Sequence, residues 1–434
     1  MLLQHSSATV RKPGIVRPGI WRLSAGLSSA MLSVAASILV ARTLGPGAFG
    51  VYTFVLWLAT VSVPAIGVGI STLTRRHLAH IQGHKLPQLA AGIFRFVWQR
   101  QCRSILLYCL IYLLLAFPLS WLYRTNAPFL LLLLAGLSAP PLLLNGVVGV
   151  TLRGQKRFGL LATLHLLGAS IALFLVAVTI SAQGVGTQIG AFLLASAIAG
   201  TCTLLVAIAA ITRLLPLDEA FEPGALLKDR LTRGMSSSLL LFTLDAIVWQ
   251  PSELLLLAYR HSATELGFYA LSALISTRLM ETVPVLLSSC VLPMLLRYFP
   301  GQRYSNAADA FRKTSLSMTA LAIPLCLLAI WCCPFVIAHS LSASFLPIVT
   351  PLRILLIAAI PGSIATVSLT HLADGERRSA QVRLGVVTAA LTIGLALPCI
   401  ALWGITGAAL ASAAAQLISA TGSILICKRF MFGR

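Results

Sequence analysis

Apolar residues run along the chain in long stretches, each ended by a short polar or basic segment. A bilayer core about 30 Å thick needs about 20 apolar residues per helix. Twelve stretches meet that length: 20–42, 49–72, 104–123, 128–151, 158–181, 187–212, 234–258, 264–294, 314–339, 345–371, 380–402 and 404–427. Several carry an internal proline (Pro64, Pro118, Pro140, Pro284, Pro361), which membrane helices accept because neighbours satisfy the freed carbonyls. The pattern predicts an all-α polytopic membrane protein of about 12 transmembrane helices.

The pattern also repeats. In LVARTLGPGAFGVY, at 39–52, an apolar run meets a Gly-Pro-Gly break, and Phe49-Gly-Val-Tyr52 opens the next run. Half a chain later Leu266-Gly-Phe-Tyr269 does the same, and Gly50 to Gly267 is an offset of 217 in 434 residues. The segments 190–197 and 407–414 echo each other at the same offset. The turns around Gly154 and Gly375 repeat at 221. A tandem duplication follows: an N-terminal six-helix lobe at 1–212, a linker at 213–233 and a C-terminal six-helix lobe at 234–434. Pro216, Pro223 and Gly224 mark the linker, which is expected to flex.

Composition changes the picture in one respect. With 58% hydrophobic and 10% charged residues, an ordinary soluble protein is excluded. The net charge of +21 invites a nucleic-acid partner, yet the basic residues sit in short clusters on alternate loops. One side of the membrane takes 27 of them and the other takes Arg42, Arg124 and Arg260. This is the positive-inside pattern, which places both termini in the cytoplasm, makes the two lobes a parallel repeat and argues against nucleic acid. The longest loop of the first half, 74–103, bears a stripe of Leu86, Leu89, Ala90, Ile93 and Val97 beside Trp98. It reads either as an interfacial helix on the anionic leaflet or as a helix packed on the bundle. Trp21, Trp57, Trp121, Trp249, Trp331 and Trp403 fall mostly near span ends and suit an aromatic belt.

Chemistry is sparse. No Ser/His/Asp or metal-ligand constellation converges, the nine cysteines read as packing residues, and the outward loops are short, so neither enzyme activity nor a cofactor or metal is expected. Residues 1–217 contain no carboxylate. The central ionisable groups are Asp245, Arg278, Glu281 and Arg353, all in the second half, with Glu253 nearer the outer end. Each costs about 3 kcal/mol at a helix centre, so they must face one another or a wet cavity. Asp245, twelve residues before Leu257, and Arg278, thirteen after Glu265, reach the same depth at about 1.5 Å per residue. Two readings stay open. The Asp245–Arg278–Glu281 group glues two helices, or it forms a midplane site in which Arg278 and Arg353 bind an anionic substrate and Glu281 and Asp245 couple transport to an ion. An arginine fork suits a phosphate. The small-residue face of the first helix (Ser24, Gly26, Ser28, Ser29, Ser33, Ala36, Ser37) either lines the cavity or allows close packing.

Residues 39–79, with Leu44-Gly-Pro and Phe49-Gly-Val-Tyr, resemble the polysaccharide flippases, the O-antigen and exopolysaccharide transporters of the superfamily shared with multidrug extruders and lipid II flippases. Asn145 to Phe158, ending Arg-Gly-Gln-Lys-Arg-Phe, and Gly404-Ile-Thr-Gly-Ala-Ala-Leu-Ala fit the same resemblance. It implies a two-lobed transporter, rocking about a central cavity, that moves undecaprenyl-pyrophosphate-linked sugar units to the outer leaflet of a bacterial inner membrane for lipopolysaccharide or exopolysaccharide assembly. It also implies a proton or sodium as coupling ion and polysaccharide assembly enzymes as partners. Drug-extruding relatives commonly use first-half carboxylates, which this chain lacks. Lipid II flippases resemble fourteen-helix proteins with arginines in the first lobe's cavity, whereas twelve spans are counted here. Both departures favour the polysaccharide branch. A small-molecule extruder is the alternative within transport. An integral-membrane polymerase or ligase would need a large outward loop that is missing.

Overall fold

The computed structural model describes residues 16–61, 63, 87–123, 128–155, 157–183, 189–216, 221, 252–286, 307–341, 343–372 and 378–432. Every element among them is helical: α1 (Val16–Thr60), α2 (Pro87–Leu122), α3 (Phe129–Gly136), α4 (Ala139–Gly154), α5 (Phe158–Gln183) and α6 (Ile189–Thr212) in the first half. The second half holds α7 (Glu253–Arg260), α8 (Ala263–Leu286), α9 (Ala307–Ser340), a 3₁₀ turn (Ala343–Ile348), α10 (Val349–Leu372) and α11 (Arg378–Phe432).

Two glycines explain why α1 and α11 are so long. Gly45 (φ 74°, ψ 169°) and Gly404 (φ 55°, ψ −127°) occupy backbone regions that side-chain-bearing residues rarely adopt, and each breaks a continuous element into two helical legs. Eight stretches among the described residues are long and apolar enough to cross a membrane. Two of these, Ser24–Thr60 and Val382–Ile426, contain the bends, so each supplies two of the twelve predicted spans. α8, which carries Glu265, Arg278 and Glu281, is not among the eight, and most of the predicted span 234–258 lies outside the described residues. The expected all-α polytopic fold is the one observed.

Within the first half α1 packs on α3, α5 and α6, and α4 bridges α2 and α6. Within the second, α10 packs on α8, α9 and α11, while α7 lies against α8 and α11. The principal contact between the halves, among the described residues, is α1 against α8. Two apolar cores cross that line. One joins Val51, Phe54 and Trp57 to Leu257, Leu266 and Tyr269; the other joins Val40, Phe49 and Phe192 to Phe268, Leu271 and Phe345.

α2 runs straight from Pro87 into its span, 36 residues or about 54 Å at helical rise, well beyond the bilayer core. Its early stripe, Ala90, Ile93 and Val97, is buried against Val147, Val148 and Leu152 of α4 and Ala207 and Ile211 of α6. Of the two readings of 74–103, packing on the bundle therefore holds for the described part; 74–86 lies outside the described residues. Arg95 and Arg103 point away from that contact and are exposed. The aromatic-belt expectation fits Trp21, Trp121, Trp331 and Trp403, all exposed, but not Trp57. Trp57 is buried in the inter-half core and stacks on Phe54, because it lies on the α1 face turned toward the second half; Trp249 lies outside the described residues.

Candidate functional site

The two glycines paired by the repeat meet in space. A methyl group added at Gly50 would collide with the carbonyl oxygen of Ala263 and lie 2.7 Å from the amide nitrogen of Gly267. One added at Gly267 would collide with the carbonyl oxygen of Pro46 and lie 3.0 Å from the amide nitrogen of Gly50. A third contact, from Gly47 to Thr264 Oγ1, would be 3.5 Å. Pro46 and Ala263, Gly47 and Thr264, and Gly50 and Gly267 are each 217 residues apart. Residues here touch their own repeat counterparts, as across a two-fold axis. Glycine permits this because the absence of side chains lets the two backbones approach directly.

The seam lies at one end of the bundle. The Gly45 bend is there, and so is the Gly404 bend, whose position faces His261 and Glu265 at 3.7 and 3.8 Å. His261 Nδ1 and Glu265 Oε2 are 2.7 Å apart at the α7–α8 junction. From Leu266 through Ala273 every α8 residue is buried; farther along, Thr277 and Arg278 are exposed. On the first leg of α1 exposure likewise rises away from the seam, through Met31, Ser28 and Ser24. The serines of that leg bond back to their own helix, Ser33 to Ser29 O and Ser37 to Ser33 O, which leaves the face effectively apolar.

The predicted site residues fall as follows. Arg278 stands on α8, fifteen residues or about 22 Å past Ala263, and is exposed. Arg353 stands on α10, one turn into the helix, also exposed and within electrostatic reach of Cys333 on α9. Their helices, α8 and α10, pack together. The backbone of Glu281 continues α8 three residues beyond Arg278, but its side chain, like all of Asp245, lies outside the described residues.

The acid that the described residues do place in a specific environment is Glu253. It is 2% exposed, and Tyr269, fully buried on α8, donates its hydroxyl to Glu253 Oε2 at 3.1 Å. Ser412 of α11, itself buried, lies beside the same phenol. Leu254, Leu257 and Leu266 close the surroundings. Sequence reasoning noticed Glu253 but not its partner, sixteen residues away across a helix junction. The available signal was Tyr269, the repeat counterpart of Tyr52.

A family profile described as "Polysaccharide biosynthesis protein" matches residues 39–350. The chain belongs to this family. Three solved structures share the fold of this family member. The lipid II flippase MurJ in an inward closed conformation has a TM-score of 0.71 at 12% identity, covering 94% of this chain and 87% of its own. A multidrug resistance MATE family transporter of the MOP superfamily, inward-facing, has 0.69 at 15% identity, covering 95% and 98%. An outward-facing structure of a MATE family transporter has 0.58 at 15% identity, covering 96% and 94%. No curated protein matches the chain by sequence. The fold and family make it a multi-pass membrane protein of the polysaccharide biosynthesis family.

Proposed function

We propose that this protein is a flippase for lipid-linked oligosaccharide, carrying undecaprenyl-pyrophosphate-bound repeat units to the outer leaflet of a bacterial inner membrane. The observation that carries the proposal is a seam that closes the two halves at one end while, among the described residues, α1 and α8 become exposed away from it. Such a seam is what rocking about a central cavity requires. The distribution of 27 basic residues against three favours a sealed end that faces outside and termini that face the cytoplasm. The better match to the inward-facing than to the outward-facing MATE structure, 0.69 against 0.58, supports an inward-facing state. The lobes 1–212 and 234–434 then tip about the linker 213–233.

The polysaccharide family and the likeness to a lipid II flippase favour a lipid-linked sugar over a free small molecule. In this reading Arg278 and Arg353, exposed on packed helices below the seam, take the pyrophosphate, with Asp245 and Glu281 as their acidic partners. Purified protein in vesicles loaded with a fluorescent polyprenyl-pyrophosphate oligosaccharide tests the proposal, with a membrane-impermeant lectin reading the leaflet. Protein-dependent exposure is expected. No exposure, together with cation efflux that rescues a drug-hypersensitive host, would transfer the protein to the extruders.

A further inference from the structure

We propose that Glu253, Tyr269 and Ser412 form a proton site whose occupancy sets whether the seam is shut; this rests on the transport reading above and assigns its coupling ion. Three helices meet at this cluster: α7 supplies the carboxyl, α8 the phenol and α11 the hydroxyl. Tyr269 is two residues from Gly267, so the residue that holds the carboxyl sits on the part of α8 that touches the first half.

An ionised carboxylate buried without a cation is costly, whereas a neutral carboxyl hydrogen-bonded to a phenol is not. Among the described residues no cation compensates Glu253. Between Leu384 and Cys427, α11 has no charged residue and faces the cluster with Ser412. On α8 the titratable group that faces Glu253 is Tyr269; the next is Glu265, one turn nearer the sealed end and engaged with His261, while Arg278 lies nine residues the other way. On α7 itself Tyr259 and Arg260 are exposed. The closed seam therefore suits Glu253 with its proton on.

Loss of that proton leaves a charge that must be hydrated. Water reaches it only if α8 moves from its place against α1, which breaks the Tyr269 bond and parts the glycines. Proton binding thus shuts the seam and proton loss favours its opening. Sodium is less suited: among the described residues the cluster offers one carboxylate, one phenol and one hydroxyl, fewer oxygens than a hard cation takes. Among the described residues no group of three or more His, Cys, Asp or Glu side chains gathers.

Disulfide trapping across the axis reads the seam without any substrate. Gly47→Cys and Thr264→Cys are introduced into a chain whose nine native cysteines are replaced, and cross-linking is followed from about pH 5 to about pH 9, the range in which a buried carboxyl titrates. The sealed-to-open ratio is expected to fall as pH rises, by up to about tenfold per pH unit for one linked proton. Added sodium at fixed pH has no effect. Glu253→Gln keeps the hydrogen bond and removes the titration, so its cross-linking stays high and flat with pH. Tyr269→Phe keeps the acid and removes its donor, lowering cross-linking at every pH. A seam insensitive to pH in the parent, or a Glu253→Gln chain that responds like the parent, overturns the proposal. Either result leaves the flippase reading standing, and absence of oligosaccharide flipping leaves the seam measurement valid.

Discussion

Replacing Gly267 with alanine tests the seam where it is tightest. The added methyl overlaps the Pro46 carbonyl oxygen and lies 3.0 Å from the amide nitrogen of Gly50. The reciprocal Gly50→Ala overlaps the Ala263 carbonyl oxygen and lies 2.7 Å from the amide nitrogen of Gly267. All of these obstacles are backbone, so no rotamer change removes them. Moving the 2.7 Å contact out to an ordinary 3.4 Å separates α1 and α8 by at least 0.7 Å, and clearing the carbonyls requires more. A gap of about 0.5–1 Å forfeits a quarter to a half of the dispersion attraction of the atoms facing it. Those atoms include Phe49, Phe54, Leu266 and Leu271, all fully buried. Overpacking of this kind costs about 1–3 kcal/mol, which lowers the sealed-to-open ratio about 5- to 150-fold. The double variant costs less than the sum of the two singles, because both methyls push the same helices apart. Hydrogen exchange over 46–56 and 263–273 in detergent or nanodiscs reads the loss of protection. Gly146→Ala is the control, since a methyl there meets open space. If Gly50→Ala and Gly267→Ala protect these segments as well as the control does, the seam is not what holds the halves.

Further outcomes follow from single residues. Gln101 on α2 is fully buried, and among the described residues neither its amide nitrogen nor its oxygen is hydrogen-bonded, so Gln101→Leu is expected to raise thermal stability by about 1–3 kcal/mol; a lowered melting temperature would show that the amide is used. Tyr108 donates its hydroxyl to Ala59 O and ties α2 to α1, so Tyr108→Phe should cost about 1 kcal/mol in detergent unfolding, and an unchanged midpoint would contradict the bond. Gly404→Ala places a Cβ at positive φ and should cost about 1–3 kcal/mol, visible as lowered expression and thermal stability. Arg278→Ala and Arg353→Ala should abolish oligosaccharide flipping at unchanged protein level; intact flipping by Arg278→Ala misplaces the headgroup site.

The spans were legible because length and hydrophobicity alone decide membrane crossing, and one of the two bends was marked, by Gly45-Pro46-Gly47. The repeat was legible too, but it identified Gly50 and Gly267 only as counterparts. That they touch depends on where the axis passes, which no single-chain pattern encodes. The stripe of α2 was ambiguous for a related reason: an apolar face beside arginines suits a membrane surface and a neighbouring helix equally, and only the contact with Val147, Leu152 and Ile211 decides. Arg278 and Arg353 could be flagged as costly residues but not oriented, since hydropathy does not say which way a guanidinium turns. Glu253 was visible as an acid in a span, while its bond to Tyr269 joins two helices across a junction that periodicity cannot fold.

A contact between residue and twin also shapes how such a chain can evolve. Away from the axis the two halves are free to differ, and they do: residues 1–217 carry no acid, whereas the second half carries several. On the axis, enlarging one twin intrudes on the other, so Gly50 and Gly267 inherit each other's constraints as the subunits of a homodimer do. Joined in one polypeptide, each flank can specialise, but the line between them answers to both copies at once.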